Sequence, residues 1–396
     1  MSLLHVIVFL FIGFLVFTID KKQENFPVPV ALLLVGFGLS FFTFFSDIRP
    51  THELIHDWFL PAVLFTAAYQ FDTAWLKKNA GVIVLISTVG LLAAVFLLGS
   101  SIYLLSFASL SFAGALVVAT ILMPSDSVSV IAIQQESERD KKVEEIVEGE
   151  SLASDGMSTV VFTTVSAMFL MDQSFQIGTF LMDFIVKAGG GLVIGAIFGF
   201  LFSRVLHLIR HHQYQVMLSI ILAYGSFYLA ESLHMAGLLA TISAGLFLSR
   251  AMERSRHEED YRSYLNGFWE VVEPAILSIL FLLIGTEFLG FFHWEHSWAV
   301  ALTFLLMLLC RFVIVWAASS ILPRYRKQLK FSEKLLVTFS GIKGSVSVAL
   351  LLSLATSAET DAADAVLSLT FGVIFLSILI QSLLIHPISK RIADSD

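Results

Sequence analysis

The sequence predicts an all-α polytopic membrane protein with thirteen transmembrane helices, the N-terminus outside and the C-terminus inside. Three observations carry this prediction. Hydrophobic residues make up 57% of the chain and charged ones only 14%, at a mean hydropathy of +0.84, far from soluble averages. With roughly 20 apolar residues needed per crossing, the apolar runs place spans at about 3–19, 27–45, 54–71, 79–99, 104–133, 147–171, 176–206, 213–230, 233–250, 266–292, 296–321, 331–356 and 364–387. Twenty of the 24 Lys and Arg residues fall in loops after odd-numbered spans or in the tail; Arg49 alone lies opposite, and Lys187, Arg311 and Lys343 fall inside spans. The positive-inside rule then sets the direction, and one miscounted helix would erase the asymmetry.

The first run, LLHVIVFLFIGFLVFTI, lacks the basic leader and small-residue cleavage site of a signal peptide and is expected to be a helix. Cys310, the single cysteine, sits in ALTFLLMLLCRF, where it is packing material and no intrachain disulfide is possible. The chain is expected to end in a short inner tail, 388–396, without a soluble domain. No basic domain suggests nucleic acid. The basic loops suit anionic lipid headgroups, although a solvated flank accounts for them as well.

Spans five and twelve each carry a polar interruption, ILMPSDSVSV and SGIKGSVSV. Pro124 removes a helical N–H, Asp126 brings charge, and two glycines flank Lys343, so both stretches read as unwound centres. Five and twelve have opposite parity and therefore run antiparallel. Breaks at corresponding places in two halves mark inverted-repeat transporters whose site lies where the broken helices meet. Spans 1–6 and 8–13 are the predicted repeats, and span seven connects them. Asp126 and Lys343 are expected to face the opposed helix ends as counter-charges. Small-residue packing is the plainer explanation of the serines and valines alone.

Span six opens VEGESLASDGMSTVVF. Ser151, Ser154 and Asp155 fall at i, i+3 and i+4, so one helix face presents two hydroxyls and a carboxylate. A carboxylate at this depth is costly and by default functional. Ringed by oxygens, it can hold a monovalent cation or a proton, and exchange follows from that competition. The plainer alternative is a carboxylate that caps a helix or pairs with Lys343. Glu150 is expected to be a structural partner of a basic residue, and Arg311 to pair with an acid. Asp183 and Lys187, at i and i+4, are expected to form a structural pair. Glu231 and His234 fall on the outer side, where an acidic funnel or simple loop solvation would each account for them.

GESLASD resembles the GES-x-x-ND signature of the monovalent cation:proton antiporter-1 family, which contains prokaryotic sodium/proton and animal sodium/hydrogen exchangers. WFLPAVLFTAAYQFD is similar to its LPP-x-x-F helix, SDSVSV to its ATDPVAV, FWEVVEPAILSILFLLIG to its FW-to-LIG helix, and GIKGSVSVALLLSL to its GLRGAVSLALAL. The resemblance covers nearly the whole chain in order. It implies Asp155 as carrier of cation and proton, Ser151 and Ser154 beside it, the backbone at Ser125 contributing from the first crossover, and Lys343 facing Glu150. Four positions depart from the pattern: Ser154 replaces the Asn, Thr66 the third-helix acid, Ser127 the Pro of TDP, and Lys343 the Arg of GLRG. Thr66 and Ser154 still offer hydroxyl oxygens, and Lys343 is a group able to trade a proton when buried.

The expected organisation is a scaffold of residues 1–71 and 213–292, a transport core of 79–171 and 296–387, and the connector 176–206. The expected function is antiport in the cell membrane, in which sodium, lithium or potassium exchanges for a proton by alternating access, one cation per proton. No cofactor is expected, and the resemblance implies a homodimer. A potassium-selective antiporter and an organic-anion carrier of the same crossed-helix architecture are the alternatives. A channel would want a filter-like motif, and an intramembrane enzyme would need Asp126 and Asp155 to share a proton.

Overall fold

Helical residues fall within every predicted span, and the helix Phe112–Leu122 ends and the helix Ser345–Ser357 begins where the sequence writes its breaks. The computed structural model describes residues 3–21, 27–45, 48, 51–105, 110–124, 141–171, 175–206, 211–255, 258–321, 334–335, 338–339, 341–357 and 361–384. In chain order the helices are α1 (Leu3–Asp20), α2 (Val28–Leu39), α3 (Leu60–Gln70), α4 (Thr73–Val84), α5 (Leu91–Leu105), α6 (Phe112–Leu122), α7 (Lys141–Leu170), α8 (Ile177–Leu206), α9 (His212–Ser232), α10 (Gly237–Glu253), α11 (Glu258–Phe291), α12 (Ser297–Ile321), α13 (Ser345–Ser357) and α14 (Asp361–Leu376). No strand occurs among the described residues. Six described helical stretches, among them Leu3–Asp20 and Ile177–Val205, are long and apolar enough to cross a membrane.

α6 starts on Ser111, whose hydroxyl accepts the Gly114 amide at 3.1 Å, and ends two residues before Pro124. This is the helix boundary that a proline imposes on the residue ahead of it. α13 starts only after the non-helical stretch 341–344. Wide turns with displaced hydrogen bonds occur at Leu54–Phe59, Leu85–Gly90 and Ser377–Gln381. α7 carries many hydroxyls through an apolar setting by bonding them to its own carbonyls. Ser158 donates to Asp155 O, Thr159 to Gly156 O and Thr164 to Val160 O, at 2.7–2.9 Å. A hydroxyl satisfied this way costs little where water is absent.

Close crossings are made by small residues. α2 meets α11 glycine to glycine, and a methyl on Gly285 would lie 2.7 Å from the Phe37 amide nitrogen. α8 meets α10 through Gly191, Gly195 and Gly199, which face Ala236, Ala240 and Ala244. A methyl on Gly195 would lie 2.7 Å from Ala240 Cα, and one on Gly199 2.9 Å from Ala244 Cα. These are small-residue interfaces of the membrane kind. The opposite face of α8 exposes Met182, Ile185, Val193 and Ile197, side chains suited to lipid. Gly195→Ala is expected to cost about 1–3 kcal/mol by overpacking against backbone that cannot yield. Gly189→Ala, which meets nothing within 4 Å, is expected to be neutral or slightly stabilising. Melting midpoints of the two variants measured in parallel check this, and equal effects would contradict the tight crossing.

α1, α2, α3, α9, α10 and α11 pack on one another, with α8 on α10. α4, α5, α6, α7, α12 and α14 form a second packed set, and α13 touches α6, α7 and α14 on one side and α11 on the other. The two sets meet where α11 lies against α13 and α14, where α3, α8 and α10 lie against α7, and where α4 meets α10.

Candidate functional site

The two interruptions meet through one side chain. Lys343, 1% exposed, donates from Nζ to the Pro124 carbonyl at 3.0 Å. α6 ends at Leu122, so its last carbonyls lack helical partners. An ammonium there satisfies one freed acceptor and complements the negative helix end. Gly341 at the start of the second break has no Cβ, and the Arg311 guanidinium of α12 lies in that space, where a methyl would clash with it.

Four charges gather around this contact. Lys343 interacts electrostatically with Arg311, Asp155 and Glu150, and Arg311 with Glu150. Glu150 and Asp155 are both partly buried on α7, and Arg311 is partly buried on α12. Two acids and two bases balance to zero, which is how intramembrane charge is tolerated.

The hydroxyls are arranged as acceptors. Ser154, buried beside Asp155, donates to Ser151 O at 3.0 Å. Thr66, fully buried on α3, donates to Ala62 O at 2.8 Å. Each hydroxyl hydrogen is thus committed to its own helix, leaving oxygen lone pairs to accept or ligate. Ser151 is buried one turn before Asp155, and α3 packs against α7. Ser125 and Asp126 lie outside the described residues, as does the tail 388–396.

The match to the family described as sodium/hydrogen exchanger, transmembrane, runs over residues 6–391. The chain belongs to the sodium/hydrogen exchanger family. It is therefore a membrane transporter rather than an enzyme. The chain is 32% identical over 350 residues to the Na(+)/H(+) antiporter NhaP of Pseudomonas aeruginosa, covering 86% of this chain and 81% of that protein. It is 29% identical to the Na(+)/H(+) antiporter ApNhaP of Aphanothece halophytica, over 94% of this chain and 71% of that one. In structure it resembles the sodium proton antiporter MjNhaP1 of Methanocaldococcus jannaschii, with a TM-score of 0.77, 19% identity and coverage of 98% of this chain and 97% of that one.

In this exchanger two further polar residues stand near the second break: Gln381, which the sequence analysis missed, and Ser347, one of the serines it read as packing. Gln381, fully buried, donates from Nε2 to the Phe339 carbonyl at 3.1 Å, just ahead of the second break, and bonds Ser377 through its other amide atom. The signal was present as a lone amide in the apolar run SILIQSLLI. Ser347 Oγ is buried without a hydrogen-bond partner among the described residues, which leaves a costly polar atom beside the second break.

The pair Asp183–Lys187 is not made: among the described residues no ion pair within 4 Å joins them. Lys187 instead lines a cavity of about 180 Å³ with His56, Thr159, Thr163, Glu231 and Gly237. Helical spacing brings two charges near, but long side chains turn to whatever the neighbouring helix offers. Glu231 accepts the Gly237 amide at 2.9 Å, so it caps α10.

Where this cavity approaches the head of the α3 segment, His52 Nδ1 and Ser353 Oγ of α13 are hydrogen-bonded at 2.7 Å. His52 stacks on His56 with ring centroids 5.0 Å apart, and His56 Nδ1 meets Asp57 Oδ1 at 2.8 Å. Desolvation by the surrounding protein, and then the charge of His56, hold His52 below the ordinary imidazole value of 6.5, with Asp57 opposing. A lowered value means that the folded state resists protonation. The stability contribution is therefore complete above 6.5 and is lost as pH falls below it. The melting midpoint is expected to drop as pH falls below the ordinary imidazole value of 6.5, and His52→Gln to remove part of that drop. An unchanged pH profile in the variant would exclude His52 as the titrating group.

Proposed function

We propose that the chain exchanges sodium for protons across the cell membrane by alternating access, with Asp155 binding cation and proton in competition. One observation carries the proposal: Lys343 joins the two interruptions and interacts electrostatically with Asp155. The names of the relatives support sodium as the cation.

In this account the thirteen spans run N-terminus out and C-terminus in, with spans five and twelve as crossed, discontinuous helices of two inverted repeats. Residues 79–171 and 296–387 form the core, which moves against a scaffold of 1–71 and 213–292 joined by 176–206. The mutual packing of α1, α2, α3, α9, α10 and α11, and of α4, α5, α6, α7, α12 and α14, supports this division. Asp155 sits on α7 at the junction of the sets, where it can be turned to one side or the other. Ser151, Ser154 and Thr66 supply neutral oxygens for a hard cation, and the backbone at Ser125 adds one from the first break. Lys343, Arg311 and Glu150, with Asp126, hold the helix ends in place and keep the pocket neutral.

The cycle needs no cofactor. A proton on Asp155 leaves toward the side of higher pH, the bare carboxylate takes sodium, and the loaded core crosses. Because cation and proton use one carboxylate, the empty charged site is the unfavourable state to carry across apolar surroundings. That disfavours uncoupled leak and gives one cation per proton. The protein is proposed to act as a homodimer through the scaffold.

The test is dye-reported proton movement in everted vesicles or proteoliposomes. Sodium is expected to collapse an imposed pH gradient, with lithium or potassium acting more weakly. A response to potassium alone would replace the sodium assignment by potassium/proton antiport, and no response to any cation in folded protein would overturn antiport.

A further inference from the structure

We propose that a cleft between α4 and α10 is a binding site for an anionic phospholipid, its phosphate held by Lys77, Arg250 and Arg254. The cleft encloses about 530 Å³ and is walled by Leu76, Ala80, Leu246 and Phe247 as well as by these cations. None of the three cations forms an ion pair within 4 Å among the described residues. The one acid in the wall does not neutralise them. Glu253 accepts the Thr73 amide at 2.7 Å and the Thr73 hydroxyl at 2.5 Å, and its nearest cation is Arg262 at 3.8 Å, outside the cleft lining. Arg262 in turn bonds Glu258 at 2.8 Å and the Tyr69 carbonyl at 3.2 Å. The wall is therefore a fixed frame that carries three cations without an ion pair among the described residues.

The occupant is a lipid rather than a free phosphate because the cationic mouth continues into an apolar track. Val84 and Leu85 lie about two helical turns beyond Lys77 on the same side of the helix, and Val89 follows; their exposures are 56%, 42% and 58%. A phosphate among the cations leaves acyl chains running over these side chains, which is the form of a headgroup pocket between membrane helices. α4 packs on α7 and α10 on α3 and α8, so the lipid bridges the two helix sets.

The experiment uses purified full-length protein relipidated in phosphatidylcholine alone or with phosphatidylglycerol. Retained phosphatidylglycerol and the melting midpoint are read for wild type and for the triple variant Lys77→Gln, Arg250→Gln, Arg254→Gln. A control of equal charge loss outside the cleft is Lys21→Gln, Arg204→Gln, Lys334→Gln. The wild type and the control are expected to retain phosphatidylglycerol and to gain a midpoint shift of several degrees. The cleft variant is expected to fall to the phosphatidylcholine background while melting normally in phosphatidylcholine. Equal loss in the control would show diffuse surface attraction and overturn the site. The same shift from inorganic phosphate would overturn the lipid assignment.

Discussion

Asp155→Asn is expected to abolish cation-dependent proton movement, lowering the exchange rate at least about 100-fold, or about 2.7 kcal/mol in barrier terms. The amide has nearly the same shape but holds neither the negative charge that a cation needs nor a proton to release. α7 is long, with its hydroxyls satisfied internally, so the variant is expected to fold and insert, with some stability lost because Lys343 keeps one fewer acid. Asp155 is partly rather than fully buried, which limits the structural effect further. Asp155→Glu keeps the charge one methylene further out and is expected to retain measurable but slower exchange. Initial rates in proteoliposomes, normalised to inserted protein, check both variants. Wild-type rates in Asp155→Asn would remove the carboxylate from the mechanism.

Lys343→Met is expected to cost about 3–5 kcal/mol of stability, because it removes one member of a buried charge group and leaves the others uncompensated. Three losses coincide there. The Pro124 carbonyl loses its donor at 3.0 Å, the end of α6 loses its counter-charge, and Glu150 and Asp155 each lose their interaction with Lys343. Met fills a similar volume, so the effect is electrostatic rather than a cavity. Lys343→Arg keeps the charge but replaces a compact ammonium by a planar fork, and is expected to cost much less. Adding Glu150→Gln to Lys343→Met is expected to restore part of the loss, since it rebalances the charge. Detergent-solubilised melting midpoints for the single and double variants check this, and additive losses would show that the two groups act separately.

The end of α6 at Leu122 and the non-helical stretch 341–344 were legible in the sequence because helix chemistry disfavours what is written there: Pro124 ahead of polar residues, and glycines either side of Lys343. Their partnership was not, since 219 residues separate Lys343 from the carbonyl it holds and nothing local encodes that meeting. The pairing of α8 with α10 was half visible. Glycines at 191, 195 and 199 and alanines at 236, 240 and 244 each form a small-residue stripe, yet a stripe does not name its partner. Gln381 was visible as a lone amide in an apolar run, but which carbonyl it serves depends on where the second break falls. The Asp183–Lys187 expectation failed because i, i+4 spacing describes an isolated helix, whereas Lys187 lines a cavity shared with α10. The wide turns at 54–59, 85–90 and 377–381 share no composition signal, since a one-residue slip in backbone pairing is set by packing. The acceptor geometry of Thr66 and Ser154 was likewise hidden. Their hydroxyl content could be read, but the direction of each hydroxyl follows from the helix carbonyl it meets.

The most direct test of the central claim is the sodium dependence of initial exchange rates in proteoliposomes, measured over a series of pH values. If one carboxylate holds either ion, the apparent KM for sodium rises about tenfold for each unit of pH below the site's titration point, because each added proton competes directly for it, while the maximal rate is unchanged. A KM for sodium independent of pH, with a maximal rate that falls as protons are added, would place the proton on a separate group and contradict the account.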